Sequence, residues 1–209
     1  MFILGLTGQS GAGKGTVAKV LTEYGFLHID TDKLSREVIP EALSDLVNEF
    51  GKEILNEDGS LNRQSLAERA FENNGKTEKL NIIMHKRIMQ KVNDIIKSYE
   101  NKGGKYVTVD GAALFEAGAE KICDKVLLVV SPWEVRLNRV LTRDKINEDQ
   151  ALNRFKRQKS VEYYKEKSDY IIENNENDNF DSINKKVYAL LNENLKLLNN
   201  YIRKDDKNE

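Results

Sequence analysis

A glycine-rich segment near the start of the chain constrains its fold more than any other feature. Residues 8–16 run from Gly8 to Thr16 and fit the pattern G-x-x-x-x-G-K. They follow a short apolar run, Phe2–Leu6, which is typical of a strand buried on both faces, and they lead into a helical pattern over Thr16–Tyr24. A strand, a glycine turn and a helix in this order predict a P-loop, whose backbone N–H groups bind phosphate. The alternative is a flexible glycine turn without a ligand.

The rest of the chain alternates between strand and helix patterns. Strands are predicted at Phe26–Ile29, Tyr106–Val109, Lys125–Val130 and Tyr170–Ile172. Helices are predicted at Pro40–Phe50, Arg63–Asn73, Glu78–Tyr99, Pro132–Arg143, Glu148–Lys167 and Phe180–Leu198. This alternation predicts an α/β fold of three layers around a five-stranded parallel sheet, as in P-loop kinases.

The spacing of these elements divides the chain into a core, an insertion and a tail. We expect the P-loop core to comprise residues 1–32 and 104–198, with a helical lid at about 139–160. Residues 33–103 are too long for a simple crossover and contain no convincing strand, so we expect a helical substrate-binding insertion there. The tail, residues 199–209, is polar and charged, which predicts a frayed end.

Composition excludes several classes of function. Lys and Arg total 33 and Asp and Glu total 34 of 209 residues, and the net charge of −1 argues against a mainly electrostatic nucleic-acid binder. No apolar stretch approaches the roughly 20 residues that span a bilayer, so we expect no membrane association and a cytoplasmic location. The single cysteine, Cys123, excludes an internal disulfide. The sequence leaves the oligomeric state open, and we favour a monomer.

The predicted P-loop supplies the candidate ligands of ATP. Lys14 can reach the terminal phosphates, and Thr16 is placed to contact the α-phosphate. Gly15 stands where a Ser or Thr hydroxyl normally ligates Mg²⁺, so the metal needs an extra water or carboxylates from elsewhere. The predicted nucleotide-binding residues in this segment are Gly11, Ala12, Gly13, Lys14, Gly15 and Thr16.

Carboxylates follow two of the predicted strands at the edge of the sheet that carries the P-loop. Asp32 could accept the proton of an attacking hydroxyl, whereas Asp30 could equally cap the next helix. Asp110 ends an apolar strand in the manner of a Walker B element, which places it near Mg²⁺ or its waters; a turn-forming role is the alternative. We therefore predict Asp32 as the base, and Asp110 with Asp32 as metal-binding groups acting largely through water.

Arginines recur at helical spacing further along the chain. Arg136, Arg139 and Arg143 lie three and four residues apart, so they can share one helix face, and Arg154 and Arg157 repeat the spacing. Arginines that close from a lid can stabilise the charge of a transferring phosphoryl group. An exposed charged face is the alternative interpretation.

Taken together, these residues resemble the dephospho-coenzyme A kinases, from Phe2 to about Asn175. The similar motifs, besides the P-loop, are Ile29–Asp32 with Arg36, the segment 54–63, Phe71, His85, Leu114–Gly118, Arg139, Arg143–Asp144, Arg154 with Gln158, and Asp169–Asn174. The sequence departs from the family pattern at Gly15, where the family has Ser, at Gly111–Ala113, which lacks a proline, and at Lys86, which replaces one.

The resemblance implies an ATP-dependent kinase that phosphorylates the ribose 3′-hydroxyl of dephospho-CoA, the last step of coenzyme A synthesis. It implies Asp32 as base, Lys14 on ATP, Arg139 and Arg143 on the transferring phosphate, and Asn174 near the adenine. Acceptor contacts are implied for Arg36, His85, Leu114, Phe115 and Glu116. The partners would be ATP, Mg²⁺ and dephospho-CoA.

Two other functions fit the same residues. One is a nucleoside or nucleotide kinase of the same architecture with a different acceptor. The other is a non-catalytic nucleotide-binding protein that kept the fold. The presence of Lys14, Asp32 and Arg143 together speaks against the second, because binding alone needs no acid near an acceptor.

Overall fold

The computed structural model describes residues 1–197 as one α/β sandwich. Its strands are β1 (Phe2–Thr7), β2 (Leu27–Asp30), β3 (Tyr106–Asp110), β4 (Lys125–Val130) and β5 (Tyr170–Glu173). Its helices are α1 (Lys14–Glu23), α2 (Thr31–Glu37), α3 (Ile39–Phe50), α4 (Arg63–Ala70), α5 (Asn74–Asn101), α6 (Trp133–Asp144), α7 (Glu148–Lys156), α8 (Val161–Lys167) and α9 (Phe180–Ala189). Short 3₁₀ turns lie at Lys52–Ile54 and Ala119–Ile122, and a π-helical turn, Leu190–Asn194, follows α9.

The five strands are all parallel, in the order β2-β3-β1-β4-β5. The sequence prediction of a five-stranded parallel α/β sheet is confirmed. Leu6 pairs with Asp110 in the register of β1 and β3, and Asp30 pairs with Asp110 in that of β2 and β3. The carboxyl ends of these strands therefore meet at one edge, directly below the turn that leads into α1.

Each face of the sheet packs on its own group of apolar side chains. Leu4, Leu6 and Val17 belong to the layer that α1 and α9 cover. Val107, Val109 and Val92 belong to the opposite layer, which α5 covers. The strands therefore contribute apolar side chains to both layers, as expected for a parallel sheet that is covered on both faces.

The long connection from β2 to β3 is helical in the described structure, and α2 to α5 form it. Leu46, Phe50 and Ile54 centre a separate apolar cluster there, at 0%, 5% and 0% exposure. This segment therefore has a small core of its own. Its role in substrate binding stays a prediction, as do the domain limits drawn from the sequence.

One predicted helix is two separate helices in the structure. The sequence predicts one helix over Glu148–Lys167, but the structure ends α7 at Lys156 and begins α8 at Val161. Ser160 caps α8, because its hydroxyl accepts from the amide of Tyr163 at 3.2 Å. Asp30 caps α2 by accepting from the Lys33 amide at 2.9 Å, which is one of the two roles that the sequence allowed for it.

The predicted polar tail, residues 199–209, lies outside the described residues, as does the last residue of the helix predicted over Phe180–Leu198. Across residues 1–197, none of the helices combines the length and the apolar character needed to cross a bilayer.

Candidate active site

Two adjoining cavities open on either side of the P-loop. The larger, about 720 Å³, lies between the P-loop and α6, and the smaller, about 470 Å³, lies between the P-loop and α2. Both are lined by Gly11, Gly13, Gly15 and Arg143, so they are two halves of one cleft. The larger half also contacts Thr16 and Arg139, and the smaller half also contains Lys14, Asp32, Arg36, Asp144 and Arg154.

The P-loop backbone is oriented by side chains on its outer side. The carbonyl of Ser10 accepts from Arg136 Nε at 3.0 Å, that of Gly11 from Arg139 Nη1 at 3.4 Å, and that of Ala12 from Asn174 Nδ2 at 3.0 Å. Three consecutive carbonyls are thus bound from outside the loop. Within residues 1–197, no hydrogen bond uses the amides of Gly11, Gly13, Lys14 or Gly15. These amides are therefore available to phosphate oxygens.

Two glycines of the loop have opposite surroundings. Gly13 has a φ of +93°, and an added Cβ there would lie 1.9 Å from Asn174 Nδ2, so no other residue fits without rearrangement. Gly15 has ordinary helical backbone in the first turn of α1, and an added Cβ would meet nothing within 4 Å. The missing hydroxyl at position 15 is therefore not imposed by the packing.

Asp32 lies in the smaller half of the cleft, in the first turn of α2. Burial of its carboxylate raises its pKa, and the nearby Lys14 opposes that effect. The charges of Asp30 and Asp110 add to the rise. Asp30 itself is the helix cap, so of its two interpretations the capping role is the one that the geometry shows. Asp32 and Lys14 are thus brought together, 18 positions apart in sequence.

Asp110 is buried at the end of β3 and carries a side-chain partner that the sequence did not reveal. His28 Nε2 lies 3.1 Å from Asp110 Oδ2, and this hydrogen bond raises the pKa of His28. The backbone carbonyl of Asp110 accepts from the hydroxyl of Thr31 at 2.9 Å. Within the described part of the chain, no three His, Cys, Asp or Glu side chains converge as a metal site.

Arg139 and Asn174 form one network beside the larger half of the cleft. Besides Gly11, Arg139 donates to the side-chain and backbone oxygens of Asn174, at 3.2 and 3.3 Å, and to the carbonyl of Asn175 at 3.0 Å. Its guanidinium therefore ties the P-loop to the segment after β5. Contact of Arg139 with the transferring phosphate, and of Asn174 with adenine, stay predictions.

Arg143 reaches the cleft as part of a charged triad. Its Nε donates to Asp144 Oδ1 at 2.7 Å, and Arg154 pairs with the other oxygen of the same carboxylate. These two guanidinium groups hold the pKa of Asp144 well below its usual range. The triad lines the smaller half of the cleft together with Asp32.

The residues predicted to bind the acceptor fall into two groups. Arg36 lines the smaller half of the cleft. His85 belongs to α5, and Leu114, Phe115 and Glu116 belong to the segment after β3; none of these four residues lines either half of the cleft. Burial lowers the pKa of His85, and the charge of Glu116 opposes this shift, so the two side chains are neighbours. Leu114 is 1% exposed and packs in the apolar layer, so its side chain is a core residue here.

Comparison with known proteins now adds to the geometry. A family model described as "Dephospho-CoA kinase" matches residues 2–179. A dephospho-CoA kinase of Fusobacterium nucleatum is 41% identical over 179 residues, which cover 85% of this chain and 91% of that protein.

The chain belongs to the dephospho-CoA kinase family.

Solved structures agree with the fold of the family. The Thermus thermophilus protein TT1252 has a TM-score of 0.79 at 26% identity, with coverage of 92% of this chain and 97% of that one. Dephospho-CoA kinase from Campylobacter jejuni has a TM-score of 0.64 at 24% identity, with coverage of 91% and 97%. Membership of this family confirms the resemblance drawn from the motifs, and it identifies the chain as an ATP-dependent kinase.

Proposed function

We propose that this chain transfers the γ-phosphoryl group of ATP to the ribose 3′-hydroxyl of dephospho-CoA. One observation carries the proposal: a single cleft holds the P-loop lysine, Lys14, and the carboxylate Asp32 on adjoining walls. A donor phosphate on the loop and an acceptor hydroxyl at Asp32 would then lie within one site. The family supplies the chemical identity of the acceptor.

The donor half acts by position and charge. The amides of Gly11, Gly13, Lys14 and Gly15 lie where the loop leads into α1, so the positive end of this helix would act on the same phosphates. Lys14 Nζ donates to the Gly8 carbonyl at 3.3 Å, a long bond that a phosphate oxygen can replace. These groups neutralise charge that develops on the phosphates without covalent chemistry.

The acceptor half acts through Asp32. Because burial raises its pKa, its carboxylate holds a proton more readily than an ordinary Asp, which favours proton acceptance from the attacking hydroxyl. Arg143 and Arg154 line the same half of the cleft as Asp32, where they can stabilise negative charge on the oxygens in transfer.

The described residues suit a Mg²⁺ ion that enters the cleft bound to the nucleotide phosphates. They do not form a metal site from protein side chains alone. No cluster of three ligating side chains occurs within residues 1–197, and Gly15 offers no hydroxyl. Asp32 and Asp110 would hold the ion through water, while the phosphates supply direct ligands. When bound, Mg²⁺ neutralises phosphate charge. The cytoplasmic location and the monomeric state stay predictions.

Two changes test this assignment together. Asp32→Asn keeps the size of the side chain but removes the base, so we expect a fall in kcat of at least 100-fold. The affinity for ATP, measured by calorimetry, should stay within about threefold, because the P-loop is untouched. With the wild-type protein, 3′-deoxy-dephospho-CoA should accept no phosphate. A variant within a few fold of wild-type turnover, or transfer to the 3′-deoxy compound, would contradict the proposal.

A further inference from the structure

Ser10 of the P-loop is held by side chains from elsewhere in the fold. Its amide donates to Gln158 Oε1 at 3.0 Å, and its carbonyl accepts from Arg136 Nε at 3.0 Å. Both backbone groups of one loop residue are thus bound by side chains well over one hundred positions away. A turn without a regular backbone ladder needs such partners, since unpaired backbone groups are costly.

Gln9 completes the same network. Its Oε1 accepts from Arg136 Nη1 at 2.7 Å, and its Nε2 donates to the carbonyl of Lys159 at 2.8 Å. Arg136 and the segment between α7 and α8 therefore both form hydrogen bonds with residues 9 and 10. The helix break that the sequence did not predict is what presents Gln158 and Lys159 to the loop.

Arg136 is itself fixed in place by its surroundings. The residue is only 5% exposed, and its guanidinium stacks against Phe155 at 4.5 Å and Trp133 at 5.8 Å from the ring centres. Burial lowers its pKa, as expected for a charge removed from water. Within the described residues, its Nε and Nη1 both donate to oxygens of the P-loop, whereas its Nη2 has no hydrogen-bond partner. Burial of a guanidinium is costly unless its hydrogen bonds are formed, so the two contacts with the P-loop offset part of that cost.

We propose that Arg136 and Gln158 are positioning residues for nucleotide binding, which hold Gln9 and Ser10 so that the loop amides face the phosphates before ATP arrives. Neither residue needs to touch the nucleotide. The inference rests on the ATP-binding half of the proposed function and is independent of the acceptor.

Gln158 offers the cleanest test, because it is partly exposed and its loss should leave the fold intact. Gln158→Met removes the acceptor at similar size, and Gln158→Glu keeps an oxygen for the Ser10 amide. The exposed amide residue Asn153, changed to Met, is the matched control. The affinity for ATP is measured by calorimetry with and without Mg²⁺, and hydrogen exchange of the peptide covering residues 8–13 is measured in the free protein.

We expect Gln158→Met to bind ATP about five- to tenfold more weakly, as for the loss of one hydrogen bond, with faster exchange in the loop. Gln158→Glu and the Asn153→Met control should stay within about twofold of wild type, and the KM for dephospho-CoA should not change. Arg136→Gln should weaken ATP binding at least as much.

The inference is overturned if Gln158→Met binds ATP within twofold of wild type, or if Gln158→Glu is as weak as Gln158→Met. A lower melting temperature with unchanged ATP affinity and unchanged exchange would also overturn it, since the role would then be structural only. Wild-type protein that binds no ATP would overturn the proposed function as well.

Discussion

Single residues decide how far the P-loop can differ from its relatives. Gly13 is required by its positive φ and by the closeness of Asn174, whereas Gly15 has open space beside it. The packing leaves room for a side chain at position 15. The absence of a hydroxyl there, one departure from the family pattern, therefore bears on the chemistry of the site and not on its packing. The two glycines should respond to substitution in opposite ways.

Gly13→Ala should reduce ATP affinity by more than tenfold and lower the melting temperature, because the added methyl group strains the backbone and displaces Asn174.

Gly15→Ser should fold normally and reach half-maximal activity at a lower Mg²⁺ concentration, because its hydroxyl can ligate the metal. Titrations of activity against Mg²⁺ and calorimetric ATP affinities measure both effects.

The account of the loop would be contradicted by either of two results. One is a Gly13→Ala variant that binds ATP as well as wild type. The other is a Gly15→Ser variant that fails to fold, since position 15 has no close neighbour in the structure.

Asp32 gives the site a pH dependence whose direction is fixed by its raised pKa. The proposed base works only when ionised, so kcat/KM should fall on the acid side at a higher pH than for an Asp with the ordinary value of 3.8. The same proton affects stability. Because the folded state binds it more tightly than the unfolded chain does, the stabilising contribution of Asp32 is fully present below pH 3.8 and is lost as the pH rises through the raised pKa.

The melting temperature of Asp32→Asn should therefore increase relative to that of wild type as the pH rises above 4. The difference between the two should level off once Asp32 is ionised. Melting curves at several pH values measure this. A difference that shrinks with rising pH would show that the pKa of Asp32 is lowered, not raised.

At the scale of elements, the segment between β5 and α9 carries Asn174 to the P-loop and is held by Asp178. This carboxylate accepts from the amide of Asn175 at 2.7 Å, from the hydroxyl of Ser182 at 2.8 Å and from Lys186 Nζ at 2.7 Å. These contacts lower the pKa of Asp178 to about 2, with the Lys186 hydrogen bond as the largest cause. The segment therefore depends on one ionised group.

Asp178→Asn should destabilise the fold by about 1 kcal/mol at neutral pH. Since the lowered pKa makes the Asp178 contribution present above 3.8 and lost as pH falls through about 2, the loss should disappear in strong acid. Denaturant titrations at pH 7 and near pH 2 measure it. The exposed Asp181, changed to Asn, is a control one turn away, and an equal loss in both variants would contradict the assignment.

Local patterns allowed the sequence to predict the strands better than the helix ends. Each strand is an apolar run between turns, so its pattern alone locates it. The break between α7 and α8 has no such local sign, because Ser160 resembles any polar surface residue and the bonds of Gln158 and Lys159 go to the distant P-loop. Similarly, the resemblance named Arg139, but only the fold shows that its guanidinium binds carbonyls of the P-loop and of residues after β5.

At the scale of the whole molecule, strand order creates the site. β1 lies between β3 and β4, and β2 is the outer strand beside β3. This order brings the P-loop, Asp32 and Asp110 together, although about 100 residues separate the P-loop from Asp110. The motifs allowed these three to be predicted together, since parallel strands end at one edge. The His28–Asp110 pair could not be, because a histidine in a strand has no distinctive pattern.

The acceptor is the central claim for the molecule as a whole, and one measurement tests it most directly. The wild-type protein with ATP and Mg²⁺ is given dephospho-CoA, AMP or adenosine, and kcat/KM is measured for each. The account predicts at least 100-fold preference for dephospho-CoA, with coenzyme A as the product identified by mass and by phosphorus NMR. Equal or faster transfer to AMP or adenosine, or no ADP formed with any acceptor, would contradict it.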